Sequence, residues 1–361
     1  MKILYISPEN TVGTLNLWQR YHEERGNECQ IITLYRTRFQ NNPGICLNLP
    51  LVYSSGPYMK LRHRYYQLHR GALGDYTEKP GHPPVWQPGS RLEKWYFRWR
   101  DWLWHFTIEP AIEKYDLLNF DIYHFEWGMD LYRDGRFVRR VADRGKPVAA
   151  TYHGQDLRTR GVFPAVDAAS QLNLTSELDL LDKHPDLTYM FLPYDTQQHT
   201  PNFDIHTPLR VCHSPTNRYY KGSDDIIPVC RKLEAEGLIR FVLLEGLSQD
   251  EVLAQKQTCD LLIDQVHNRG GWGYGMNSVE ALSLGLVCLT ELVEQYQVFI
   301  PDHPFVPITA ETLESTLRSL VDRPEEIRSR KKVGRDWVVK YHDYNNTGQR
   351  LYELYREREW L

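Results

Sequence analysis

Four glycines within six positions, Gly270, Gly271, Gly273 and Gly275, follow the apolar run Leu261-Leu262-Ile263 and precede a helical stretch that carries Glu280. Glycine takes positive φ at no steric cost and lets the backbone come close to a ligand. The apolar run reads as a buried strand, the helix opens at Asn277 or Ser278, and Gly285 ends it. A helix start facing such a loop favours anions, because its first N–H groups have no intrahelical partner and the macrodipole is positive there. Glu280, about one turn in, can accept hydrogen bonds from sugar hydroxyls. A plain strand–loop–helix with a glycine turn is the competing reading. Earlier in the chain, His153 and Asp156 fall in His153-Gly154-Gln155-Asp156-Leu157-Arg158, directly after the strand predicted for Pro147–Tyr152. Glu126 and Trp127 end the strand predicted for Asp121–Phe125. The carboxyl ends of parallel strands are where a doubly wound α/β sheet binds its ligands. A local salt bridge between Asp156 and Arg158 is expected to shape that loop.

Two α/β halves must position these groups. Lys2–Ser7 is predicted as a strand, Pro8–Thr14 as a loop containing Gly13, Leu15–Arg25 as a helix stopped by Gly26, and Cys29–Tyr35 as the next strand. That is the opening βαβ of a doubly wound sheet, without the G-x-G-x-x-G spacing of a dinucleotide site. A strand at Thr188–Leu192 closes the first sheet, and the polar, proline-punctuated 196–208 reads as a linker. The second half starts with a strand at Leu209–His213 and a loop at Ser214–Ser223, then a helix at Asp224–Glu236 and a strand at Ile239–Leu244. Ser248 and Glu251 form a capping box, and helices are predicted at Glu311–Val321, Pro324–Tyr341 and Asn346–Glu359. The expected division is 1–200, 201–340 and a helix within 341–361 that packs back toward the first domain, with a cleft between the two halves.

The 361 residues, 41% hydrophobic and 25% charged, suffice for two cores. A net charge of −4 carries no signal for nucleic acid, and no nucleic-acid partner is expected. Six scattered cysteines without C-x-x-C suit free thiols in a reducing compartment. The start, MKILYISPEN, lacks the apolar stretch of a signal peptide, and no apolar run approaches the ~18 residues of a membrane span. A cytoplasmic protein is expected, with peripheral contact at the inner face of the membrane through two basic-aromatic segments, 58–70 and 92–106. In the second segment Leu92, Trp95, Trp99, Trp102 and Phe106 recur at helical intervals. That stripe reads as the face by which the helix packs on its own domain, with a membrane-surface or acceptor-binding role as the alternative.

The loop CHSPTNRYYKGSDD, Cys212–Asp225, and the glycine-rich stretch together resemble the retaining family-four glycosyltransferases of GT-B fold. The closest likeness is to bacterial members with P-x-N-R-x-x-K-G and a G-W-x-G loop before V-E-A-L-x-L-G. The order agrees over nearly the whole chain: a glycine loop after the first strand, HG-x-D-L-R, the Asn217-Arg218…Lys221-Gly222 loop, and the glycine loop leading to Glu280. The resemblance implies two Rossmann-like domains, the second holding a nucleotide diphosphate-sugar as co-substrate, UDP- or GDP-linked. It implies that Arg218 and Lys221 bind the donor diphosphate, that Glu280 binds the ribose hydroxyls, and that Gly13 lies under the diphosphate and sugar. It further implies that His153 contacts the donor sugar near the reacting carbon. Asn217, Gly273, Tyr274, Gly275, Met276, Asn277 and Ser278 complete the donor site by the same resemblance. Glu126, Trp127 and Asp156 are the acceptor-side candidates.

Trp272 stands where the family's first glutamate of E-x7-E does, so the sugar's identity is not implied; backbone N–H groups of Gly273–Met276 could take over part of that work. The expected reaction is transfer with retention, without a metal or other cofactor. Two fixed cations and a helix dipole can neutralise a departing diphosphate, and the chain has no D-x-D or compact metal-ligand set. The expected acceptor is a carbohydrate, a lipid-linked or a small molecule, with polysaccharide or glycolipid synthesis implied by the bacterial likeness. The alternatives are a nucleotide-sugar epimerase or hydrolase of the same fold, which needs acid and base carboxylates such as Glu126 and Asp156, and a non-catalytic nucleotide-sugar-binding subunit.

Overall fold

The structure is a computed structural model and describes residues 1–10, 13–36, 44–52, 80–154, 156–269 and 272–361. The basic segment 58–70, Gly270 and Gly271 lie outside the described residues. The chain divides into two compact units, Met1–Phe191 with Gly348–Leu361, and Leu192–Thr347.

The first unit is built on seven parallel strands: β1 (Lys2–Ser7), β2 (Glu28–Thr33), β3 (Ile45–Cys46), β4 (Ile122–Glu126), β5 (Val148–Tyr152), β6 (Leu172–Thr175) and β7 (Leu187–Tyr189), in the order β3-β2-β1-β4-β5-β6-β7. Both faces are covered, so β1 and β4 read as near-continuous apolar runs, as buried parallel strands do. The chain order reverses between β1 and β4, which places the ligand crevice of such a sheet at the ends Ser7 and Glu126. β6, with the sequence LNLT, escaped the sequence reading because its apolar residues are interrupted by Asn173 and Thr175, both buried.

The helix Arg91–Lys114, started by the Ser90 side chain accepting from Glu93 N, corrects one expectation. Its core-facing residues are Phe97, Trp104, Ile108 and Ile112. The stripe Leu92, Trp95, Trp99, Trp102 and Phe106 is exposed, from 39% at Trp99 to 66% at Leu92. Residues two apart lie about 200° apart around a helix, on opposite faces. This helix carries an apolar stripe on each face, and periodicity alone does not say which one the sheet covers.

The second unit holds β8 (Leu209–His213), β9 (Ile239–Leu243), β10 (Leu261–Ile263), β11 (Val287–Thr290) and β12 (Val306–Pro307), all parallel, in the order β12-β11-β10-β8-β9. Its core joins Val211, Phe241, Ile263 and Leu289 to Ile226, Leu233, Leu313 and Ile327 from the surrounding helices. The order reverses between β8 and β10, so this crevice lies at His213 and Ile263. After β8 comes a single helical turn, Arg218–Lys221, and then a helix Ser223–Ala235 with Gly222 at its N-cap position. The segment 196–208, read as a linker, lies inside this unit. Asn202 N donates to Leu284 O at 2.9 Å, and the buried Lys331 ammonium donates to Asp204 O at 2.6 Å and to the buried Asp260 at 3.1 Å.

The last helix, Tyr344–Arg356, begins in the second unit, and from Gly348 on the chain belongs to the first. Leu351, Leu354 and Tyr355 are buried. Tyr352 OH meets His22 Nδ1 at 2.9 Å and accepts from Asn27 Nδ2 at 2.9 Å, while Tyr355 OH meets His124 Nε2. Among the described residues no helix is long and apolar enough to cross a membrane.

Candidate functional site

In the second unit the predicted donor residues gather at the carboxyl ends of β8 and β10. Asn217 caps the single helical turn Arg218–Lys221, its side-chain oxygen accepting from Tyr219 N at 3.0 Å, and Gly222 in the left-handed region ends that turn. The two cations stand three positions apart on this turn and reach to either side of β8. Lys221 Nζ reaches Asp264, the residue after β10, at 2.6 Å. The same carboxylate accepts from Asn277 Nδ2 at 2.7 Å and from Ser278 Oγ at 2.6 Å. Asp264 is fully buried. Burial alone would raise its carboxyl, but the Lys221 charge and the three hydrogen bonds outweigh it and hold the group below the usual range. Ser214, just after β8, donates to Asn277 Oδ1 at 2.6 Å. Asp264 thus ties the Lys221 loop to the start of the helix Met276–Ser283.

Arg218 is turned to a second carboxylate. Its Nε and Nη2 donate to the two oxygens of Glu245, at 2.7 and 2.6 Å, in a two-pronged contact two residues past β9. The Arg218 bond and charge keep the Glu245 carboxyl below its ordinary value. Glu280 is buried in the helix, with one oxygen accepting from the buried Lys256 ammonium and the other from Gln249 Nε2 at 2.6 Å.

The described part of the glycine loop, Trp272–Gly275, is held from within the unit. Gly273 has φ +103°, and a Cβ there would stand 2.6 Å from the Tyr296 ring, so both conformation and space demand glycine. Its carbonyl accepts from Gln265 Nε2 at 2.9 Å. Tyr274 packs among Tyr296, Phe305, Trp337 and His342, its hydroxyl 2.9 Å from His342 Nε2. Gly275 precedes the helix in extended conformation with no side-chain cap, which leaves Met276 at its first position.

In the first unit Glu126 ends β4 and His153 follows β5, its neighbour in the sheet. His153 Nε2 lies 2.6 Å from Glu126 Oε2, and Thr151 Oγ1 donates to the other oxygen at 3.2 Å. Glu126 is buried; the His153 side chain is 28% exposed. Burial would depress the imidazole, but the Glu126 bond and charge, with weaker help from Asp156 and Glu177, leave it above its ordinary value. Trp127 takes φ +61°, rare for a bulky residue, with its ring 6.1 Å from that of His153 and its carbonyl held by Arg160. Gly13 has φ +73° at the start of the helix Thr14–Glu23, and a Cβ there would meet nothing within 4 Å among the described residues, so its requirement is read as conformational.

The expected Asp156–Arg158 salt bridge does not form. Asp156 accepts from the backbone of His153 at 2.9 Å and of Leu157 at 2.7 Å, while Arg158 turns to Glu177 and Asp179 at 2.7 and 2.6 Å. Two carboxylates brought in from beyond β6 make a stronger partner for a guanidinium than one committed to its own loop. The sequence reading missed Asp264, Glu245, Gln249 and Lys256. A polar pair, Asp264-Gln265, directly after the apolar run of β10 was the signal that pointed to the first. Among the described residues no group of three or more His, Cys, Asp or Glu side chains is placed to hold a metal ion.

No protein-family model matches this chain, and no curated protein matches it either. Its fold is similar to that of solved glycosyltransferases. The Anabaena protein HepE in complex with UDP-glucose superposes with a TM-score of 0.54 at 11% identity, over 99% of this chain and 100% of that one. The glycosyltransferase SnogD from Streptomyces nogalater gives 0.53 at 14% identity, over 98% and 99%. At such identities the likeness is one of fold, and the expected GT-B architecture of two Rossmann-like units holds.

Proposed function

We propose that this protein transfers a sugar from a nucleoside diphosphate-sugar to an acceptor, with the donor diphosphate bound by Arg218 and Lys221. The observation that carries this reading is the meeting of Lys221 and the start of helix Met276–Ser283 on Asp264, where the strand order of the second unit reverses, with Arg218 three positions before Lys221 in the same loop. Two guanidinium or ammonium groups and a helix start neutralise charge that develops on a departing diphosphate, which is the task a divalent ion performs elsewhere. The reaction is accordingly read as independent of metal. Lys256 and Gln249 orient Glu280, and a carboxylate with about four lone-pair directions has others left for ribose hydroxyls.

His153, bonded to Glu126, is assigned the role of a cation that stabilises negative charge near the reacting carbon. In this reading the leaving phosphate takes the acceptor's proton on the face from which it departs, so the transfer proceeds with retention. Trp127 offers an aromatic face beside His153 for a carbohydrate acceptor. The exposed stripe of helix Arg91–Lys114, flanked by the exposed Arg91, Lys94 and Arg98, supports contact with an anionic membrane surface and hence a lipid-linked acceptor. The UDP-glucose bound in the HepE complex makes UDP-sugars the first to test.

The test is a thermal-shift panel with UDP, GDP, ADP, dTDP and CMP and their sugar conjugates, on the wild type and on Arg218→Ala. Stabilisation grows with ligand concentration over Kd. A shift with one diphosphate, lost in the variant, is expected, followed by sugar transfer whose product anomer is read by NMR. No shift with any nucleotide would overturn the reading.

A further inference from the structure

The two cations read as the diphosphate-binding pair of the second unit are both matched by carboxylates. Arg218 and Lys221 contribute two positive charges, and Glu245 and Asp264 contribute two negative ones at 2.6 Å from them. A diphosphate would bring further negative charge to a site whose cations are both engaged. One carboxylate has to give way, and the two are not alike. Asp264 is fully buried and held by Lys221, Asn277 and Ser278, so releasing it would leave a buried charge and three donors unpaired. Glu245 is 29% exposed, and its partner Arg218 is 54% exposed. Exposed pairs of this kind are weak and exchange readily. The Nε and Nη2 edge that Glu245 occupies is the edge of a guanidinium that matches two oxygens of a phosphate.

We propose that Glu245 is an internal counter-ion of the diphosphate site, seated on the phosphate-binding edge of Arg218 and displaced by the donor, so that it sets donor affinity. This rests on the reading of Arg218 and Lys221 as the diphosphate cations. Glu245 holds the Nε and Nη2 edge of Arg218 at the end of β9 and competes with every anion for it. Asp264 has the opposite role: it positions Lys221 and the helix start and stays in place when the ligand binds.

Isothermal titration with UDP and, separately, GDP on the wild type, Glu245→Gln, Arg218→Ala and the double variant tests this. Glu245→Gln keeps the side chain's size and removes its charge, and is expected to bind the preferred diphosphate about 2- to 5-fold more tightly, the worth of an exposed pair. Arg218→Ala is expected to weaken binding at least about tenfold, and adding Glu245→Gln to it should change nothing further, because the competition is for that guanidinium. Equal or weaker binding by Glu245→Gln, in a wild type that does bind a diphosphate, would overturn the counter-ion while leaving the donor site standing. A tightening that persists in the Arg218→Ala background would also overturn it, since it would then be a general charge effect. A wild type that binds neither UDP nor GDP would overturn the donor-site reading and this inference with it.

Discussion

His153 and Glu126 meet at 2.6 Å across the ends of two neighbouring parallel strands, the carboxylate buried and the imidazole partly open. The sheet register brings them together: Glu126 stands opposite Thr151, and His153 lies two residues further on. Thr151 holds the second carboxylate oxygen, so the pair is fixed from both sides.

Because Glu126 keeps the imidazole proton-bound above the ordinary histidine pKa of about 6.5, a role as cation predicts activity that falls as pH rises through the raised folded value. Glu126→Gln should move that alkaline limb of kcat/KM to lower pH, with His153 titrating earlier by NMR. The pair's contribution to stability has the same sign: complete below about pH 6.5 and lost as pH rises through the folded value. His153→Ala should lower kcat more than nucleotide affinity. An alkaline limb that stays where it was in Glu126→Gln would remove Glu126 from the mechanism.

Asp264→Ala leaves the Lys221 ammonium and two further donors without their carboxylate in the second unit. Breaking a buried pair costs about 3–5 kcal/mol, which for a unit of this size is a fall in Tm of roughly 6–20 °C. The carboxyl is held low, so its contribution is present above about pH 3.9 and is lost as pH falls through the folded value. Calorimetry that showed a change under about 2 °C would mean that the cluster is not the anchor described.

The two loop glycines should respond differently to a methyl group. Gly273→Ala meets both a φ of +103° and the Tyr296 ring, and is expected to cost more than about 2 kcal/mol. Gly13→Ala meets nothing within 4 Å among the described residues, and is expected to carry the conformational penalty of about 1 kcal/mol. Urea midpoints compare them directly, and equal losses would show that contact with Tyr296 is not what requires Gly273.

On helix Arg91–Lys114, Trp95→Ser with Trp102→Ser removes exposed rings, so stability should stay within about 0.5 kcal/mol. Co-sedimentation with vesicles containing anionic lipid should fall at least about fivefold. Unchanged vesicle binding in that variant would take the stripe out of any membrane contact, and a large loss of stability would mean that it is covered by protein.

What the chain determined by itself is local. The capping box at Ser248 and Glu251 forms as its spacing requires, Pro324 opens its helix, and the strands β1, β4, β5, β8 and β10 lie where apolar runs stand. Each of these depends on residues a few positions apart, so the signal survives in one dimension. The partners of the site residues did not lie within that reach. Lys221 finds Asp264 43 positions away, Arg218 finds Glu245 27 away, His153 finds Glu126 27 away, and Glu280 finds Lys256 24 away. Those pairings depend on which strand ends become neighbours, which strand order decides. The helix Arg91–Lys114 makes the same point with apolar residues: periodicity revealed a stripe, and the sheet chose the opposite face to bury. Local spacing placed the groups on their elements, and tertiary structure decided what each charge meets.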